Sequence, residues 1–119
     1  MHRINGQKGV IVLREVYDNS MGKRYRINEI YIHDRIEAKL LKKKPSIRIR
    51  EIYQILEYEY VKQVPDNSKG YGFRLVVYGR TYGGRCLIMW LYPEDMRRGC
   101  WNLATAREAN ENEKKRYFQ

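Results

Sequence analysis

The chain has 119 residues, enough for one domain around one core. Hydrophobic residues make up 43% and aromatics 13%, with eleven tyrosines, which argues against a disordered chain and for a packed fold with a half-wet face. Lysine and arginine outnumber the acids by 24 to 14, for a net charge of +10, so the expected partner is a polyanion: nucleic acid, an acidic membrane surface or an acidic protein.

No run of about 18 apolar residues exists, so no spanning helix is expected and no membrane partner. Val10-Ile11-Val12-Leu13 is too short for a signal-peptide core. Cys86 and Cys100 are too few for a disulfide framework and read as small buried hydrophobes. These features predict a reducing, cytoplasmic setting.

In chain order, residues 1–26 read as an N-terminal extension or an extra strand, with Val10–Leu13 the strand candidate. Asp18 to Gly22 carries a turn signal, and Met21 is an alternative start. From residue 27 to 119 the pattern predicts a single domain. Glu29 to His33 reads as a strand. Asp34, with Glu37 three residues on, opens a helix that ends near Lys44-Pro45. Ser46 is the expected cap of a second helix, whose apolar face is Ile49, Ile52, Tyr53 and Leu56. Val64 to Gly72 reads as a loop. Phe73–Arg80 and Arg85–Tyr92 read as strands of a hairpin, and Cys100–Ala104 as a third strand. Thr105-Ala106-Arg107-Glu108 has the spacing of a capping box and predicts a helix running to about Tyr117. The expected fold is α+β, a small antiparallel sheet with two N-terminal helices and one C-terminal helix packed on it.

Three constellations carry candidate chemistry. Ten of the basic residues fall between Lys23 and Arg50, against three acids. Within that stretch Lys39, Lys42 and Lys43 share a helix face and Lys44 follows, a cluster that self-repels unless an anion compensates. The competing reading is a solvated helix end. In the hairpin, period 2 puts Arg74, Val76, Tyr78 and Arg80 on one face. Pairing across a four-residue loop would set Arg80 opposite Arg85, a pair that grips a phosphate or is neutralised by Glu94, Asp95 or a helix acid. Arg107 would lie in the first turn of the last helix, against the dipole. Tyr117 reads as packing, and His33 as a lone histidine. No zinc-ligand spacing, phosphate loop or paired-carboxylate motif is present, so neither metal nor cofactor is expected.

Tyr78-Gly79-Arg80-Thr81-Tyr82-Gly83-Gly84-Arg85-Cys86-Leu87, then Ala104-Thr105-Ala106-Arg107-Glu108-Ala109 and Glu113-Lys114-Lys115-Arg116-Tyr117, resembles the closing half of the BrnT family of bacterial toxins. His33-Asp34 through Lys39, Lys43 and Lys44 looks like that family's opening helix. The likeness covers about residues 29–118. Lys44 and Pro45 stand where the family has histidine and glycine, so proton transfer falls to Lys44, His33 or no group at all.

The resemblance implies a RelE-like fold and a toxin of a type II toxin–antitoxin pair that cleaves RNA without metal. It further implies a cognate antitoxin as protein partner, in a hetero-oligomer or beside a homodimer. Catalytic candidates are then Lys43 or Lys44 as base, Arg80 and Arg85 as a clamp on the phosphorane, and Arg107 as a positioning group. Lys39, Lys42, Arg74, Tyr78 and Tyr82 would contact RNA, the tyrosines by stacking a splayed base. The alternative is a nucleic-acid- or antitoxin-binding relative without nuclease activity.

Overall fold

The computed structural model describes residues 7–18, 23–57, 62–65 and 72–118, with side chains for 25–56 and 72–118. The elements are β1 (Gln7–Asp18), β2 (Lys23–His33), α1 (Asp34–Lys42), α2 (Ile49–Glu57), β3 (Lys62–Pro65), β4 (Leu75–Arg80), β5 (Cys86–Asp95), β6 (Cys100–Glu108) and α3 (Glu111–Tyr117). The protein is α+β, with one six-stranded sheet in the order β1-β2-β6-β5-β4-β3. Of the segment read as extension or extra strand, residues 7–18 form the edge strand β1, paired with β2. The turn expected over Asp18–Gly22 and the loop expected over Val64–Gly72 fall largely outside the described residues, but Val64 and Pro65 are not loop: they belong to β3, paired with Val76 and Leu75 of β4.

The sheet is mixed, which corrects the antiparallel expectation. β2 runs parallel to β6 over Glu29–Tyr31 and Cys100–Asn102. β2 takes its antiparallel neighbour from β1, while the direction of β6 is set by its own pairing with β5. At the junction, the backbone N–H groups of Asn28 and Glu29 both donate to the Gly99 carbonyl, at 2.8 and 3.2 Å. Gly99 closes the turn between β5 and β6 at φ +69°, a conformation that glycine adopts without penalty.

Alternation along β4 explains why that strand is buried on both sides. Leu75 and Val77 face one way, into a core with Ile30, Ile32, Met89, Leu91, Trp101 and Leu103. Leu40 of α1 and Ile52, Ile55 and Leu56 of α2 close this layer. Val76 and Tyr78 face the other way, against Ile88, Ala109 and Phe118. The predicted apolar stripe on α2 holds at Ile52 and Leu56, and Ile55 joins it. The helix lies so close to the sheet that a Cβ at Gly79 would sit 2.5 Å from the Ile55 carbonyl oxygen.

Two helix starts differ from the spacing-based expectation. Ser46 does not cap α2; the Arg48 N–H donates to Glu51 Oε1 at 3.0 Å instead. Residues 105–108 do not open the last helix. They continue β6, with Thr105, Ala106 and Arg107 opposite Trp90, Met89 and Ile88. The capping box lies five residues later, where Asn110 and Glu113 exchange side-chain-to-backbone bonds at 2.8 and 2.9 Å. Both tetrads have the right spacing, and ladder pairing of the first with β5 decides which one caps.

Candidate functional site

The hairpin between β4 and β5 turns on Thr81. Its N–H donates to the Arg85 carbonyl at 2.9 Å, and its hydroxyl accepts the Arg85 N–H at 3.0 Å. Arg80 is therefore paired with Cys86, and the expected Arg80–Arg85 apposition is absent. A slip of one residue moves a side chain to the opposite face. Arg80 faces α3, where its Nη2 donates to the Phe118 carbonyl and its guanidinium lies 5.9 Å from the Phe118 ring. Arg85 faces α2. The two arginines form no clamp.

Arg85 instead organises a junction of three segments. Its Nη1 donates to both carboxylate oxygens of Glu51, at 3.0 and 2.8 Å, and to the Ser46 carbonyl at 2.8 Å. Its Nε donates to Glu108 at 2.7 Å. Among the described residues, its Nη2 reaches only the Pro45 carbonyl, at 3.4 Å. Burial disfavours the charge on Arg85, yet Glu108 and Glu51 outweigh that cost and raise its pKa above the ordinary guanidinium value. The arginine thus ties the loop carrying Lys43 and Lys44 to α2 and to the end of β6. Lys43 caps α1 in an extended conformation rather than sharing its face, while Lys39, Lys42 and Lys44 are exposed. Tyr82, 65% exposed, projects beside this junction, its N–H held by Gln54 Oε1 at 3.0 Å.

Arg107 belongs to a different locus. It makes a bidentate pair with Glu113 at 2.7 and 2.8 Å and lies over the Trp90 ring at 5.2 Å. Glu113 raises the Arg107 pKa, and Arg107 in turn holds the Glu113 carboxyl below its usual range. Arg107 thus pins α3 to the sheet from a strand, and opposes no helix dipole. Tyr78 is buried and stacked on Tyr117 at 4.2 Å, so it offers no ring face to a base. The packing role read for Tyr117 agrees with this stack.

A pocket of about 330 Å³ opens where β2 and β6 stop pairing and the chain turns into α1. Tyr31, His33, Arg35, Arg74, Tyr92 and Asn102 line it. His33 caps α1, its Nδ1 accepting the Arg35 N–H at 3.2 Å. Asn102 donates from Nδ2 to Glu94 at 2.8 Å. Burial pushes the Tyr31 hydroxyl pKa up, with Glu29 and Cys100 adding to the shift. Of the candidates read from the sequence, Arg74 and His33 lie here. The alternation of Tyr31 and His33 on β2 was the signal for those two, visible once strand faces are assigned, whereas Arg35 enters from the first turn of α1.

Among the described residues, no group of three or more His, Cys, Asp and Glu side chains gathers as a metal site, and no helix is long and apolar enough to cross a membrane. No family model, curated protein or solved structure matches the chain.

Proposed function

We propose that this protein is a ribonuclease toxin of a type II toxin–antitoxin pair, acting on RNA in the cytoplasm at the Arg85 junction. The observation that carries the reading is the convergence of the Lys43–Ser46 loop, Glu51 and Glu108 on one guanidinium. The +10 net charge supports a polyanion substrate, and the motif likeness over residues 29–118 supports the toxin class.

RNA can be cut by its own 2′-OH. A base removes the hydroxyl proton, O2′ attacks phosphorus, and the 5′-oxygen leaves with a proton to give a 2′,3′-cyclic phosphate. Glu108, the more exposed of the two carboxylates on Arg85, suits the base role in place of a lysine. Arg85 Nη2 keeps N–H capacity for the phosphorane, a preorganised donor worth about 10²–10³ in rate. Lys44, next to Pro45, supplies the proton to the leaving oxygen, with Lys43 beside it as a second cation. Tyr82 offers the base an exposed ring.

The test is cleavage of a mixed-sequence RNA by the purified chain with and without EDTA. Glu108→Gln and Lys44→Ala, both at exposed positions, should each slow cleavage by about 10²-fold or more. Full cleavage in both variants would falsify the site, and loss of cleavage in EDTA would overturn the metal-free route. Growth arrest on expression alone, relieved by the product of a neighbouring gene, tests the toxin assignment.

A second reading has its own support. Arg107 binds Glu113 bidentately through Nη1 and Nη2, and Arg85 binds Glu51 through Nη1 and Glu108 through Nε, as structural arginines do. On this reading the chain binds nucleic acid or an acidic antitoxin segment without cutting. Steeply salt-dependent binding with no cleavage products would select it.

A further inference from the structure

The pocket between β6 and the start of α1 contains none of the Arg85 junction residues and takes no part in the cleavage proposed there. Arg35 and Arg74 bring two cations to one concave site, and Tyr92, 42% exposed, brings an aromatic face. His33 spends Nδ1 on the Arg35 N–H, which leaves the proton of its neutral ring on Nε2 as a donor. Asn102 has its Nδ2 turned to Glu94, leaving Oδ1 as an acceptor. Donors for an anion, a ring for stacking and an acceptor for an amino group are the parts list of a nucleotide site. An acidic peptide would use the cations but has no need of the Tyr92 face or the Asn102 acceptor.

We propose that this pocket seats one unstacked nucleotide of a single RNA strand, its phosphate on Arg35 and Arg74 and its base on Tyr92. The inference rests on the reading of the chain as an RNA-contacting protein and deepens it. The pocket lies at the N-terminal end of α1. The Arg85 junction lies beyond its C-terminal end, where Ile47 N–H folds back to the Leu40 carbonyl at 2.9 Å. The nine residues of α1 span about 13 Å at 1.5 Å per residue. Lys39 and Lys42 are exposed along that span. A strand leaving the pocket past Asp34 and Glu37 of the first turn would meet Lys39 and Lys42 in the last turn, on the way to the loop held by Arg85.

The experiment titrates the full chain with adenosine 5′-monophosphate, adenosine and inorganic phosphate, read by amide chemical shifts and calorimetry. The mononucleotide should bind saturably and shift residues around 31–36, 74, 92 and 102. Arg35→Ala and Arg74→Ala should each weaken it about tenfold. Tyr92→Ala should weaken the mononucleotide about tenfold and leave inorganic phosphate unchanged. Arg35 and Tyr92 are exposed, so their variants keep the fold, and unchanged shifts for core amides verify it for Arg74→Ala. Absence of saturable binding, equal affinity for adenosine, or unchanged affinity in both arginine variants would overturn the proposal. Mononucleotide binding without RNA cleavage would leave the pocket standing and sink the nuclease reading.

Discussion

The two faces of the sheet are held by different forces. On one, α1 and α2 close an apolar layer in which Leu40, Ile52, Ile55 and Leu56 are almost fully buried. On the other, α3 contributes no fully buried residue of its own. It is held by its cap, by the Arg107–Glu113 pair, by Arg80 to the Phe118 carbonyl and by the Tyr78–Tyr117 stack, with Phe118 tucked in behind. Apolar burial is non-directional and cooperative with the whole core, whereas a short helix held by polar contacts can open by itself. The first face should therefore unfold with the protein, and the second before it.

The largest effect that tests this contrast is at the close approach of α2 to β4. Ile55→Ala removes a fully buried side chain and should cost about 2–5 kcal/mol, seen as a lower midpoint in urea unfolding. Gly79→Val should destabilise at least comparably, because the Ile55 backbone fills the space its side chain needs. If either variant lost only α3 protection in hydrogen exchange, the cooperative core would be wrongly assigned.

A smaller effect belongs to the junction between the faces. Glu51→Gln leaves Arg85 half-buried with one carboxylate fewer and should cost about 1–3 kcal/mol. It should also loosen the Lys43–Ser46 loop, read as faster amide exchange at Ile47 and Arg48. Unchanged exchange there would detach Arg85 from the positioning of that loop.

The smallest effects belong to α3. Asn110→Ala should cost about 1 kcal/mol and Glu113→Gln about 0.5–1 kcal/mol, both as lost exchange protection in α3 with little change in the global midpoint. The pair also predicts a pH dependence. Arg107 lowers the Glu113 pKa in the folded protein, so its contribution is complete above the ordinary carboxylate value. That contribution fades as pH falls through the lowered folded value. Protection of α3 should thus decline on acidification below about pH 4, and more steeply in the wild type than in Glu113→Gln.

Periodicity made much of this legible. The stripe Ile49, Ile52, Leu56 placed α2, and the alternation of Arg74, Val76, Tyr78 with Leu75 and Val77 assigned both faces of β4. What failed was pairing and choice among equivalent signals. Thr105–Glu108 and Asn110–Glu113 both have cap spacing, and the ladder with β5 took the first as strand. Arg80 and Arg85 were expected face to face, and the Thr81 bonds slipped the register by one, sending them to opposite sides. Glu51 and Glu108, the carboxylates that now define the junction, lie 34 and 23 residues from Arg85. No local spacing could have joined them.

The sequence by itself determined that this chain is α+β and carries a strong positive charge, because composition and hydrophobic period are local properties. Only the tertiary structure decided which carboxylates Arg85 and Arg107 meet and which side chains line the pocket. Both depend on register and on contacts between distant strands. A one-residue slip or a helix that starts five residues later changes the neighbours of an arginine completely while leaving the composition untouched.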